Sequence, residues 1–163
     1  MRRFFLAVAA LAVAAIFAMP SYAAENAKPH RIAVQIDQND PALMNLVLNN
    51  VSNLTEYYHS KGEQVQIEVV AYGPGLNMLR EDKSPVKDRL KRIKEGSFPS
   101  TVNFSACHNT MMGMEKAEGH RIPIVPQASV VPAGGGALER VARAGLELYP
   151  AVNRRNCQRQ ERR

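Results

Sequence analysis

Short apolar runs closed by turn residues, each followed by a stretch with helical spacing, constrain this chain more than any other feature. "RIAVQI" (Arg31 to Ile36) places Ile32, Val34 and Ile36 on one face at strand period. "VQIEVVAY" (Val65 to Tyr72), "TVNFSA" (Thr101 to Ala106) and "ASVV" (Ala128 to Val131) repeat the type, and "LELY" (Leu146 to Tyr149) adds an edge strand. Between them lie helix signals. Asp40 is an N-cap and Pro41 a first helical residue, opening a helix to about Ser60 that Lys61-Gly62 closes. Ser84 and Pro85 repeat the signal, with Val86, Leu90 and Ile93 as the buried stripe, Asp88 and Arg92 as an exposed i,i+4 pair, and Gly96 as the end. A short helical turn carries Leu76 and Leu79, and a helix from Asn109 to Glu118 follows the third strand despite Gly113. "PAGGG" enters a last helix, with Leu138, Val141 and Ala142 inward and Gly145 as its stop. Strands alternating with helices require right-handed crossovers and hence parallel strands. The expected fold is α/β, a single three-layer α/β/α sandwich with a mainly parallel sheet of about five strands.

Strands covered on both faces should be nearly all apolar, yet Gln35, Glu68, Asn103 and Ser105 interrupt these. An edge position or a face turned toward a partner subunit would account for them.

The N-terminus sets an expected compartment. Arg2 and Arg3 precede an unbroken apolar run from Phe4 to Met19, and Ser21 and Ala23 supply small residues for a cut between Ala23 and Ala24. That succession reads as a cleavable signal peptide over residues 1–23, too short for the roughly 20 apolar residues of a spanning helix. Export to a periplasm is expected, with one domain over residues 24–152 and a basic, disordered tail over 153–163. No other stretch is suited to span a membrane. Two of the 21 Lys and Arg lie in the leader and five in the tail; one of the 15 acids, Glu161, is also in the tail. Fourteen cations therefore face fourteen acids in the body, which argues against nucleic acid as a partner. A native pairing of Cys107 with Cys157 is not expected, because Cys157 sits among the arginines of the tail.

In an open parallel sheet, ligands gather beyond the carboxyl ends of the strands. Here those ends read "DQND", "YGPG", "CHNT" and "PAGG", so Asp37, Asn39, Tyr72, Gly73, Cys107, His108, Asn109 and Pro132 are expected around one rim. Cys107 would stand where the next helix begins, and free N–H groups and the helix dipole there favour a thiolate. Such a sulfur attacks persulfides or disulfides; otherwise a buried cysteine serves as a small hydrophobe. His108 would stabilise the thiolate as an imidazolium, or stand beside it as a partly exposed bystander. Tyr72, Gly73 and Gly75 also fit a purely turn-forming role.

The segments "AVQIDQNDPALMNLVLNNVSNL", "IEVVAYGPGLNML" and "NFSACHNTM" together resemble the DsrE/DsrF-like family, in its exported branch. The resemblance spans about Lys28 to Tyr149. It implies an α/β sandwich that assembles into oligomers, and a sulfur-carrying cysteine after the third strand, which corresponds to Cys107. The expectation is a periplasmic sulfur carrier forming a persulfide on Cys107, at most sulfurtransferase-like, with a sulfur donor or acceptor protein as partner. A non-catalytic ligand- or protein-binding module of the same fold is the alternative. Cys107, His108, Met111, Met112 and Met114 also bring together soft donors that suit Cu(I), although their spacing matches no defined metal motif, and no metal or cofactor is expected.

Overall fold

The structure is a computed structural model that describes residues 29–143 and 147–149. The leader, the tail, Cys157, Gly145 and Leu146 lie outside the described residues. The elements run β1 (His30–Ile36), α1 (Pro41–Ser60), β2 (Val65–Ala71), a 3-10 helix (Gly73–Leu79), α2 (Lys87–Gly96), β3 (Thr101–Cys107), α3 (His108–Glu118), β4 (Ala128–Val131), α4 (Gly134–Arg143) and β5 (Glu147–Tyr149). All pair in parallel in the order β4-β3-β2-β1-β5. Four strands of four to seven residues form the body of the sheet, and β5 contributes three. The expected α/β sandwich is the fold observed.

The strand order decides which side each helix takes. Three successive crossovers step from β1 to β2 to β3 to β4 in one direction, so right-handedness puts α1, α2 and α3 on one face. The return from β4 to β5, beyond β1, reverses direction and puts α4 on the other face, where it contacts β1, β2 and β3. The first face holds the hydrophobic core. Ile32, Ile67 and Val102 lie in register across it, as do Val34, Val69 and Phe104, and then Ile36, Ala71 and Ala106. Met44, Val47, Leu48 and Val51 of α1 and Leu90 of α2 close over them.

The polar interruptions now have a location. Glu68 pairs with Ala33 and Asn103, and Val70 with Gln35 and Ser105, so all four polar residues share the second face. They sit on the three central strands, which overturns the edge explanation. Among the described residues, α4 is the helix that covers this face. Ser105 is buried and donates to Glu68 Oε1 at 2.9 Å, whereas Gln66, Thr101 and Asn103 are exposed.

Local signals account for most boundaries. Asp40 Oδ1 accepts the N–H groups of Ala42 at 2.8 Å and Leu43 at 3.4 Å, as an N-cap before Pro41 should. The second cap differs from expectation: α2 begins at Lys87, with Val86 as its N-cap. Ser84 Oγ donates to Met78 O at 2.6 Å and accepts Val86 N–H at 3.3 Å, so it closes a local turn two residues early. Asp88 and Arg92 form no ion pair. Arg80, whose side chain has no exposed surface, instead organises a cluster of charges. It pairs with Asp82 and with both oxygens of Glu118 at the end of α3. Lys83 also reaches Glu118 at 3.0 Å. Arg80 and Lys83 together hold the Glu118 carboxyl down at about 2. Two main-chain bonds, Val125 N–H to Leu79 O and Glu81 N–H to Pro123 O, fix the same junction at 2.9 Å each.

Candidate functional site

Cys107 is the last residue of β3 and the N-cap of α3, and only 5 % of it is exposed. Among the described residues it is a free thiol. Its Sγ accepts the N–H of Gly134 at 3.2 Å, from the first turn of α4. The site therefore lies where helices from opposite faces of the sheet both begin. Burial pushes the thiol pKa up, but hydrogen bonds from the Thr110 hydroxyl and from the N–H groups of Thr110, Gly134 and Asn109 outweigh it. The net effect holds Cys107 below its ordinary value.

Thr110 is the residue that the rim argument passed over. Its Oγ1 accepts the N–H of Gly73 at 3.0 Å. With that oxygen occupied as an acceptor, the hydroxyl proton is free to point at sulfur, and a chain of donors runs from Gly73 through Thr110 to Cys107. The signal was present in the spacing: a side chain three residues after an N-cap reaches back to it, the geometry of a capping box. Gly134, 27 residues from Cys107, carries no comparable local signal.

Two glycines bring the walls close enough. A Cβ on Gly75 would lie 2.4 Å from Ile36 O and 2.8 Å from Asp37 N, so only glycine lets the 3-10 helix rest on the end of β1. A Cβ on Gly134 would lie 3.2 Å from the Tyr72 ring, so the start of α4 packs directly against that ring. Tyr72 is half-buried; burial first, and then the Asp37 charge, push its hydroxyl pKa up.

The rim is thus assembled in part. Asp37, Tyr72, Gly73, Cys107 and Asn109 converge through these contacts, with Asn109 contributing its main-chain N–H. Pro132 is exposed two residues before Gly134. Asn39 is exposed and His108 half-buried, and neither side chain makes a hydrogen bond or ion pair with the described residues. The methionines of α3 divide: Met111 and Met114 pack against the core, Met114 Sδ lies 4.0 Å from the Arg80 guanidinium, and Met112 is exposed. Among the described residues no three His, Cys, Asp or Glu side chains gather as a metal set, and no helix is long and apolar enough to cross a membrane.

Fold and site define a parallel α/β sandwich with a buried, anion-stabilised cysteine at the C-terminal rim of its sheet. No protein-family model matches the chain, and no curated protein matches it. Among solved structures it is similar to a protein of unknown function from Methanobacterium thermoautotrophicum, MTH1491. The two share 30% identity over 74% of this chain and 98% of that one, with a TM-score of 0.62. At that identity and coverage, this chain belongs to the same family as MTH1491.

Proposed function

We propose that this protein is an exported DsrE-like sulfur carrier that holds sulfane sulfur as a persulfide on Cys107. The observation that carries the reading is the Cys107 sulfur, held low in pKa by one hydroxyl and three N–H donors from both helix starts. A thiolate is the nucleophile such chemistry needs. The Cys107 thiolate attacks the outer sulfur of a donor persulfide, R–S–SH. The donor S–S bond breaks, R–S⁻ leaves, and a new S–S bond gives Cys107–S–SH, with no net oxidation. The same donors would stabilise the persulfide anion, which keeps a negative sulfur near the same place. Passing the sulfur on reverses the step, with an acceptor thiolate as the attacking group.

The charged and apolar leader supports a periplasmic setting for this exchange, and the sheet face that, among the described residues, has only α4 over it supports self-association. Light scattering on the purified protein should give more than the mass of one chain; a monomer at micromolar concentrations would remove that part of the reading. One observation favours a second reading, a binding module without turnover: with 5 % exposure, Cys107 gives an incoming sulfur little surface to meet. Cyanolysis separates the two. After incubation with cysteine persulfide and desalting, the carrier should release thiocyanate, and so should Cys157→Ser, while Cys107→Ser should not. Equal release from the Cys107→Ser protein would end the proposal.

A further inference from the structure

A second site lies at the other end of the sheet. A cleft of about 520 Å³ opens between α1 and α2 and is walled by the segment from Gly96 to Ser100 that leads into β3. Cys107 ends that strand, so the strand's length, about 23 Å at 3.3 Å per residue, separates cleft and cysteine. At the upper edge Arg89 fastens the helices together, donating to Asn45 O and Oδ1 and to Asn49 Oδ1. These acceptors are neutral and leave the guanidinium charge uncompensated. Arg92, one turn lower, forms no ion pair with Asp88 or any other of the described residues. The single acid in the lining is Glu56. Two guanidinium groups against one carboxylate, with His59 counted as neutral, leave one net positive charge.

His59 also lines the cleft, and the remaining hydroxyl side chains are already committed. Ser52, Thr55 and Ser97 each spend their hydroxyl proton on a main-chain carbonyl, of Leu48, Val51 and Lys94 respectively. Ile93 and Pro99 line the cleft, and Phe98 beside them is 89 % exposed, an aromatic ring with almost no protein against it. The volume falls within the range of small-molecule sites and is too small for a folded partner.

We propose that this cleft binds a small organic acid: a monoanionic carboxylate on an apolar or aromatic body. The carboxylate meets the planar fork of Arg92, with the charge of Arg89 behind it, and the body covers Phe98 and Ile93. A monoanion matches the single excess charge, whereas a dianionic phosphate would also meet Glu56. The inference does not depend on sulfur chemistry at Cys107.

The test uses 3-phenylpropionate and its neutral analogue 3-phenylpropionamide as probes, followed by amide NMR on the purified protein. The acid should shift the amides of residues 92–98 and of Ser100, and the amide analogue should bind at least about tenfold more weakly. Arg92→Gln, at an exposed position, should erase the preference for acid over amide analogue. Phe98→Ser should weaken both probes alike. Equal binding of the two probes, shifts centred elsewhere, no shift at concentrations up to about 10 mM, or an unchanged preference in Arg92→Gln would overturn the proposal.

Discussion

Replacing Thr110 with valine keeps the branched shape of the side chain and removes its hydroxyl. Cys107 then loses one of its four donors, and the Gly73 N–H loses its acceptor. A hydrogen bond to a charged group contributes about 1.5–3 kcal/mol, and about 1.4 kcal/mol is tenfold in an ionisation constant. The thiolate population of Thr110→Val, measured at a pH below the thiol pKa, should therefore fall roughly tenfold, and at the upper limit about a hundredfold. Three N–H donors remain, so ionisation persists at higher pH. The assay is the rate of alkylation by iodoacetamide across a pH series, with Cys157→Ser as background so that one thiol reports. Burial slows every variant alike, so the midpoint of the profile is the quantity to read. Thr110→Ser keeps the hydroxyl and should restore the wild-type midpoint. An identical midpoint in Thr110→Val, or a serine variant that behaves like valine, would refute the donor chain from Gly73 to the sulfur.

Three other outcomes follow from the same geometry. Gly75→Ala forces a Cβ to 2.4 Å from the Ile36 carbonyl and should cost about 1–3 kcal/mol in urea unfolding; Gly113→Ala, in open space within α3, should gain up to about 1 kcal/mol. The Glu118 carboxyl is held at about 2, below its ordinary 4.5, so the stability it contributes is full above about 4.5 and is lost as pH falls through about 2. Glu118→Gln should flatten the loss of stability in that window, and an unchanged acid profile would refute the pairing with Arg80. Removal of the basic tail from residue 153 should leave the melting temperature unchanged, and a drop of several degrees would show that the tail packs on the domain.

The layers were legible because their signals are local. Alternation at Ile32, Val34 and Ile36 and the cap at Asp40 both act within a few residues, and both appear in the structure as read. Cys107 was placed correctly at a strand end, since a strand run and a helical spacing meet there. What could not be read joins residues far apart in the chain. Arg80 meets Glu118 across 38 positions, and Gly134 reaches the sulfur across 27, contacts that only the strand order creates. Ser84 misled because a hydroxyl before proline suits either a cap or a turn, and Met78 O decides between them. The four polar strand residues were visible as an anomaly. That they share one face, the one α4 packs on, follows from a register that no single strand encodes.

The central claim is that Cys107 carries sulfur, and intact mass spectrometry tests it most directly. Incubated with a persulfide donor, the protein should gain about 32 Da per sulfur atom held, and dithiothreitol should remove the gain. Cys107→Ser should show no gain, while Cys157→Ser should match the wild type. No gain in the wild type, or an equal gain in the Cys107→Ser protein, would contradict the account.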